Sequence, residues 1–302
     1  MDSATYIEPD EGFITTAEGK IHYLDWGGTG FQAHFLHANG FCAGTYSPFI
    51  KHLSGQLHIY ASDIRGHGSS DLPSIQRIRS WTIFAEDLKT LIEQTMVPPV
   101  IGMGHSLGGV TTYIAAAKYP HLFSSIILID PVILPNRMLW LMAGGKLLGL
   151  RGNLPLARAA RRRRRNFRGK KQALKLFVAG RGIFKNWSKE FVHAYLECGV
   201  LEKDSKTAVL RCDPELEAQI FESTPVGIWR YAKKISCPVL ALRGELSDTF
   251  FADAAERLKG RISDYELKTI SDSGHFIPME KPQACADAIS DFVHRKLDSF
   301  AD

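Results

Sequence analysis

The chain has 302 residues, 45% of them apolar and 23% charged, with a net charge of +5. This composition suits a folded protein with a sizeable core and excludes a disordered or collagen-like chain. The positive excess is local: residues 158–171 (RAARRRRRNFRGKK) carry nine basic side chains and no acidic one, and taking those nine charges away leaves the remainder at −4.

Read in chain order, short apolar runs alternate with amphipathic segments. Residues 21–26 (IHYLDW) read as a strand, followed by a turn at Gly27, Gly28 and Gly30. Residues 33–37 (AHFLH), 58–62 (HIYAS), 100–104 (VIGMG) and 125–130 (SIILID) read as further buried strands. Between them, Ser80 is a candidate N-cap for a helix to about Gln94, in which Ile83, Phe84, Leu88, Leu91 and Ile92 recur at helical spacing. A second helix runs from Leu107 to Lys118 and ends at Tyr119-Pro120. Strands that alternate with helices predict a mostly parallel sheet covered on both faces.

The alternation then stops. Residues 132–231 are predicted to be a largely helical cap, inserted between a core of residues 1–131 and 232–302. Strands resume at residues 238–243 (PVLALR) and 265–270 (YELKTI), and a helix from about Pro282 to Leu297 closes the core.

The five cysteines, Cys42, Cys198, Cys212, Cys237 and Cys285, are scattered without CxxC spacing, which predicts reduced thiols rather than a zinc site or a disulfide framework. The start, MDSATYIEPDEGF, has neither the basic nor the apolar region of a secretory signal, and no apolar run reaches the roughly 20 residues needed to cross a bilayer. A cytoplasmic protein is therefore expected.

The chemistry concentrates in two segments. Gly104-His105-Ser106-Leu107-Gly108 fits G-x-S-x-G, directly after the strand VIGMG and directly before a helix. A serine on such a turn sits in a strained backbone that needs small neighbours, and the turn lifts its hydroxyl to the carboxyl end of the sheet. His275 lies in SDSGHFIPMEKP, between the last strand and the last helix, where an imidazole can take the proton that a serine must lose to become a nucleophile. An oxyanion hole needs two N–H groups, of which Leu107, next after the serine, is expected to give one.

Quoted together, LHANGF, SDIRGHGSSD, GMGHSLGG, LRGELSD and SGHFIPMEKP resemble the α/β-hydrolase superfamily, in particular its cap-bearing, esterase-like members, over nearly the whole chain. The resemblance implies a mostly parallel twisted sheet with an inserted helical cap and a triad in the order nucleophile, acid, histidine: Ser106, Asp248, His275. Asp248 ends RGELSD, where the family places its acid. Asp130 is the alternative, because some relatives take the acid from the earlier strand, and Glu245 is a third candidate. The second oxyanion donor comes from the loop after AHFLH, commonly His-Gly-x; here Ala38 replaces the glycine, so Asn39 is the counterpart donor and Phe41 the alternative. His37 reads as an anchor of that loop, Arg65 as a partner for a carboxylate, and His67 as structural.

The resemblance implies a serine hydrolase that cleaves a carboxylic ester or a related thioester or lactone, with a small, apolar acyl substrate and with no metal or organic cofactor. A carbon–carbon bond hydrolase, a lyase, an acyltransferase and a non-catalytic small-ligand receptor are the alternatives. In the cap, MLWLM (138–142) and LLGL (147–150) stand beside the basic run. They predict either a lid whose arginines face water or a peripheral contact with anionic lipid. Without aromatic interleaving, no nucleic-acid partner is expected. Nothing in the sequence indicates an oligomeric state.

Overall fold

The sheet begins at its edge with β1 (Asp10–Thr16) and β2 (Gly19–Asp25), an antiparallel pair, followed by β3 (Phe31–Leu36) and β4 (Leu57–Ser62). These strands belong to a computed structural model that describes residues 8–72, 77–149, 152, 154–179, 182–204 and 206–297. The first seven residues and Leu150, which figure in the sequence readings above, lie outside the described residues. The remaining core strands are β5 (Val100–His105), β6 (Phe123–Ile129), β10 (Val239–Gly244) and β11 (Tyr265–Ile270), and the spatial order is β1-β2-β4-β3-β5-β6-β10-β11. From β4 to β11 every pairing is parallel. This is the fold expected from the alternating pattern. β1 escapes that pattern because it is an edge strand with one buried residue, Ile14.

β5 is buried along its whole length, and six of the seven residues of β6 are buried, which is why both read as continuous apolar runs. Helices α2 (Thr82–Thr95), α3 (Leu107–Lys118) and α9 (Ala252–Lys259) cover one face of the sheet. The short α1 (Ser47–Ile50), α10 (Ile277–Glu280) and the final α11 (Pro282–Leu297) cover the other. Phe35 of β3 shows the packing: fully buried, its ring lies 4.6 Å from that of Tyr46 and 5.9 Å from that of Phe49. Burial of one such side chain contributes about 2–3 kcal/mol.

Between β6 and β10 the chain forms α4 (Asn136–Leu147), α5 (Pro155–Arg161), α6 (Gly169–Val178), α7 (Lys189–Gly199) and α8 (Pro214–Glu222). A small antiparallel sheet lies among them, β7 (Asn166–Phe167), β8 (Val200–Asp204) and β9 (Thr207–Leu210), in the order β7-β9-β8. Its strands of two to five residues are too short for periodicity to reveal.

One expectation is corrected here. Cys42 and Cys198 form a disulfide, with Cα atoms 6.3 Å apart across 156 residues of sequence. A pair this distant has no spacing signature, so the sequence reading of five reduced thiols could not see it. The bond ties the loop after β3 to α7 above it. Disulfides persist mainly in oxidising surroundings, so cysteine usage no longer supports a cytoplasmic location. No helix among the described residues is long and apolar enough to cross a membrane.

Candidate active site

Four loops at the carboxyl edge of the parallel strands meet: those after β3, β5, β6 and β11. Ser106 follows β5 with φ 56° and ψ −113°, a conformation that costs a non-glycine residue about 1–3 kcal/mol. The surroundings hold it there. The Ser106 N–H donates to the Ile129 carbonyl (3.0 Å), and the Val110 N–H donates to the Ser106 carbonyl (3.1 Å). The neighbouring glycines are required by space: a Cβ on Gly104 would stand 2.4 Å from the backbone of Gly108, and one on Gly108 would stand 2.0 Å from the Leu36 carbonyl oxygen.

His275 Nε2 is 2.9 Å from Ser106 Oγ, and His275 Nδ1 is 2.7 Å from Oδ2 of Asp130. The acid beside the histidine is therefore Asp130, and the preference for Asp248 is corrected. Asp130 is fully buried at the end of β6, with φ 42°. Its Oδ1 accepts from the Gly244 N–H (3.0 Å) and its Oδ2 from the Ser247 hydroxyl (2.6 Å). Asp248 is exposed, and among the described residues its carboxylate accepts only from the Thr249 hydroxyl (3.2 Å). The loop after β10 thus turns Ser247 inward and Asp248 outward, a difference of one residue that the motif LRGELSD does not reveal. Glu245 is also exposed; its carboxylate accepts from the Asp272 N–H (3.0 Å) and braces the histidine loop.

The loop after β3 separates the two oxyanion candidates. The Gly40 N–H donates to His67 Nε2 (3.1 Å), and the Phe41 N–H donates to the Ala38 carbonyl (3.2 Å). The Asn39 N–H has no partner among the described residues, nor has the Leu107 N–H at the first position of α3. His37 fixes this loop as an acceptor at Nε2 from the Ile64 N–H (2.8 Å) and a donor at Nδ1 to the Ala38 carbonyl (2.7 Å). Arg65 makes a bidentate pair with Asp87, away from the nucleophile (2.6 and 2.5 Å).

Sequence reading missed a relay beneath the site. The Ala38 N–H donates to the Tyr46 hydroxyl oxygen (3.1 Å), Tyr46 donates to His105 Nδ1 (2.7 Å), and His105 Nε2 donates to the His275 carbonyl (2.8 Å). This direction requires a neutral His105, and burial pushes its pKa far below the usual histidine value. Tyr46 and His105 carry no local sequence signal, because the contact spans 59 residues.

His34 and His67 are likewise buried and neutral: desolvation, reinforced by neighbouring His37, lowers each to about 3. Desolvation also lowers His37. In the unfolded chain a histidine titrates near about 6.5. Between about 6.5 and about 3 the unfolded chain therefore holds protons that the folded one refuses. Stability present above that window is lost as the pH falls through it, by up to about 1.4 kcal/mol per pH unit for each such histidine. Urea midpoints at pH 7, 6 and 5 should fall steeply, and His34→Gln should make the slope shallower by about one proton.

The cap closes over these loops. Asn39 Nδ2 donates to the Glu217 carbonyl (3.0 Å). Arg163 donates to Glu217 Oε2 (2.5 Å) and to the Tyr195 hydroxyl (2.7 Å), and this pair abuts Gly40. Burial raises the pKa of Glu217, a cost that Arg163 offsets. The basic run is thus not wholly a solvated face: Arg161 pairs with Glu215 and Glu222, and Arg165 with Asp213. Arg163→Ala, which strands a buried carboxylate, should cost about 3 kcal/mol. Arg164→Ala, at an exposed position, should stay within about 0.5 kcal/mol. Urea denaturation of the two variants checks the ranking.

With this geometry in view, the comparisons with known proteins are decisive for the family. The family model described as alpha/beta hydrolase fold matches residues 33–282. The chain is an α/β hydrolase. Among relatives, 2-(acetamidomethylene)succinate hydrolase of Mesorhizobium japonicum is 26% identical over 272 residues, covering 88% of this chain and 89% of that one. Abhydrolase domain-containing protein ACTT2 of Alternaria alternata is 27% identical over 236 residues, 66% of this α/β hydrolase and 85% of its relative. The crystal structure of E-2-(acetamidomethylene)succinate hydrolase superposes with a TM-score of 0.77 at 22% identity, covering 94% of this chain and 99% of that one. At that identity the superposition speaks for the fold.

Proposed function

We propose that this α/β hydrolase cleaves a carboxylic ester, or a related thioester or lactone, through an acyl-enzyme on Ser106. The observation that carries the reading is the continuous contact Ser106 Oγ, His275 imidazole, buried Asp130 carboxylate. As Ser106 attacks the carbonyl carbon, His275 Nε2 takes its proton, and Asp130 holds the Nδ1–H and steadies the imidazolium. The Asn39 and Leu107 N–H groups, free of other partners among the described residues, receive the developing oxyanion. His275 then gives its proton to the leaving oxygen or sulfur. It next deprotonates a water that attacks the acyl-enzyme, and finally reprotonates Ser106 as the acid departs. Nucleophile and base come from the chain itself.

The surroundings favour an apolar acyl group. The Phe276 ring lies 5.1 Å from that of His275 and continues into Phe41 and the cap residue Trp187, at 5.9 Å each. A panel of soluble acyl esters, thioesters and lactones, assayed by release of free acid, tests the reading. Wild type should hydrolyse at least one class, with apolar acyl groups preferred. Folded wild type inactive on every member, or Ser106→Ala as active as wild type, would overturn it.

A further inference from the structure

In a cap helix the side facing water is normally polar. α4 departs from that rule. Leu139, Met138 and Met142 pack inward, while Arg137, Trp140, Leu141 and Leu148 recur at helical spacing on the opposite face. Trp140 is 75% exposed, Leu141 79% and Leu148 74%; Leu147 is 89% exposed and Leu156, at the start of α5, 62%. Large apolar side chains exposed together along one helix of a folded protein mark a contact site.

The charge around it has one sign. Residues 131–189 contain sixteen lysines and arginines and no aspartate or glutamate. Several are engaged by carboxylates of α8 and its N-cap Asp213, as described above. Arg137, Arg158, Arg162 and Arg164 are exposed and have no ion pair among the described residues. The end of α8 gathers the apolar and basic parts on one edge. The Lys146 ammonium on α4 donates to the Thr224 carbonyl, Gly152 lies beside Glu222, and Arg161 on α5 pairs with Glu222 at 2.7 Å.

We propose that this edge of the cap docks on an anionic lipid surface, with Trp140, Leu141, Leu147, Leu148 and Leu156 entering the headgroup boundary and the unpaired arginines facing acidic headgroups. Aliphatic side chains gain from an acyl boundary, whereas a nucleic acid offers leucines nothing comparable. A second copy of the chain would bring the same basic edge against itself, since a two-fold contact pairs like with like. An anionic leaflet meets both halves of the surface, with attraction that falls off within a Debye length.

The test uses the full chain with vesicles of phosphatidylcholine alone or with about 30 mol% phosphatidylserine. The protein should sediment with the anionic vesicles and hardly with the neutral ones, and about 0.5 M salt should weaken the binding. Trp140 is the exposed tryptophan of the five, so emission should shift to the blue on binding, and the shift should vanish in Trp140→Phe. The double variant Trp140→Ser/Leu141→Ser should lower vesicle affinity about tenfold or more. Its hydrolysis of a soluble ester should stay unchanged, which keeps this result separate from the fate of the acyl-enzyme reading. Arg158→Glu/Arg162→Glu should weaken binding to anionic vesicles while far-UV circular dichroism stays native. Equal binding to both vesicle types would overturn the proposal, as would binding indifferent to the double variant. So would a wild-type dimer that the double variant dissolves, or capture of an RNA oligonucleotide with no vesicle binding.

Discussion

Ser106→Ala and His275→Ala are each expected to reduce acyl hydrolysis by about 10⁴- to 10⁶-fold, with little added loss when combined, because nucleophile and base act as one unit. The loss should fall on kcat. Neither side chain holds the fold together: the elbow is fixed by backbone bonds from Ser106 to Ile129 and from Val110 to Ser106, and by the close contact of Gly104 with Gly108. Removing the serine hydroxyl should leave the urea midpoint within about 1 kcal/mol of wild type, because alanine keeps the same strained backbone. Steady-state kinetics on any ester that the panel identifies, with denaturation of the same preparations, measures both quantities.

Asp130→Asn is expected to lower kcat by about 10³- to 10⁴-fold, and Asp248→Asn to leave it within about twofold. An asparagine at residue 130 keeps the shape but loses the negative charge that selects the Nδ1–H tautomer and steadies the imidazolium. It also loses the charge that draws the Gly244 N–H and the Ser247 hydroxyl. Asp248 lies at the surface beside Thr249, so its charge meets water in both protonation states of His275. The opposite ranking would return the acid to the loop after β10.

What the sequence disclosed and what it hid follow one physical division. β3 to β6 and β10 were readable because parallel strands buried on both faces are apolar without interruption. Ser106 was readable because the strained turn forces glycine on both sides, and His275 because its loop lies between a recognisable strand and helix. Residue alternation within a loop is not readable in the same way. Ser247 and Asp248 differ by one step, and only coordinates show which of them faces Asp130. Pairings across long separations were equally invisible: Cys42 with Cys198, Tyr46 with His105, and the carboxylates of α8 and its N-cap Asp213 that engage Arg161, Arg163 and Arg165. The run's partners lie 27 residues on at Glu197, which pairs with Lys170, and from 48 residues on at Asp213, so its local sequence did not separate paired basic residues from solvated ones.

The central claim is that Ser106 is an activated nucleophile. Incubation of the folded protein with a fluorophosphonate, followed by intact mass and peptide mapping, tests it directly. The account predicts a single adduct on the peptide that carries Ser106, absent from Ser106→Ala and formed far more slowly by Asp130→Asn. Folded wild type that stays unlabelled, or an adduct that persists in Ser106→Ala, would contradict it.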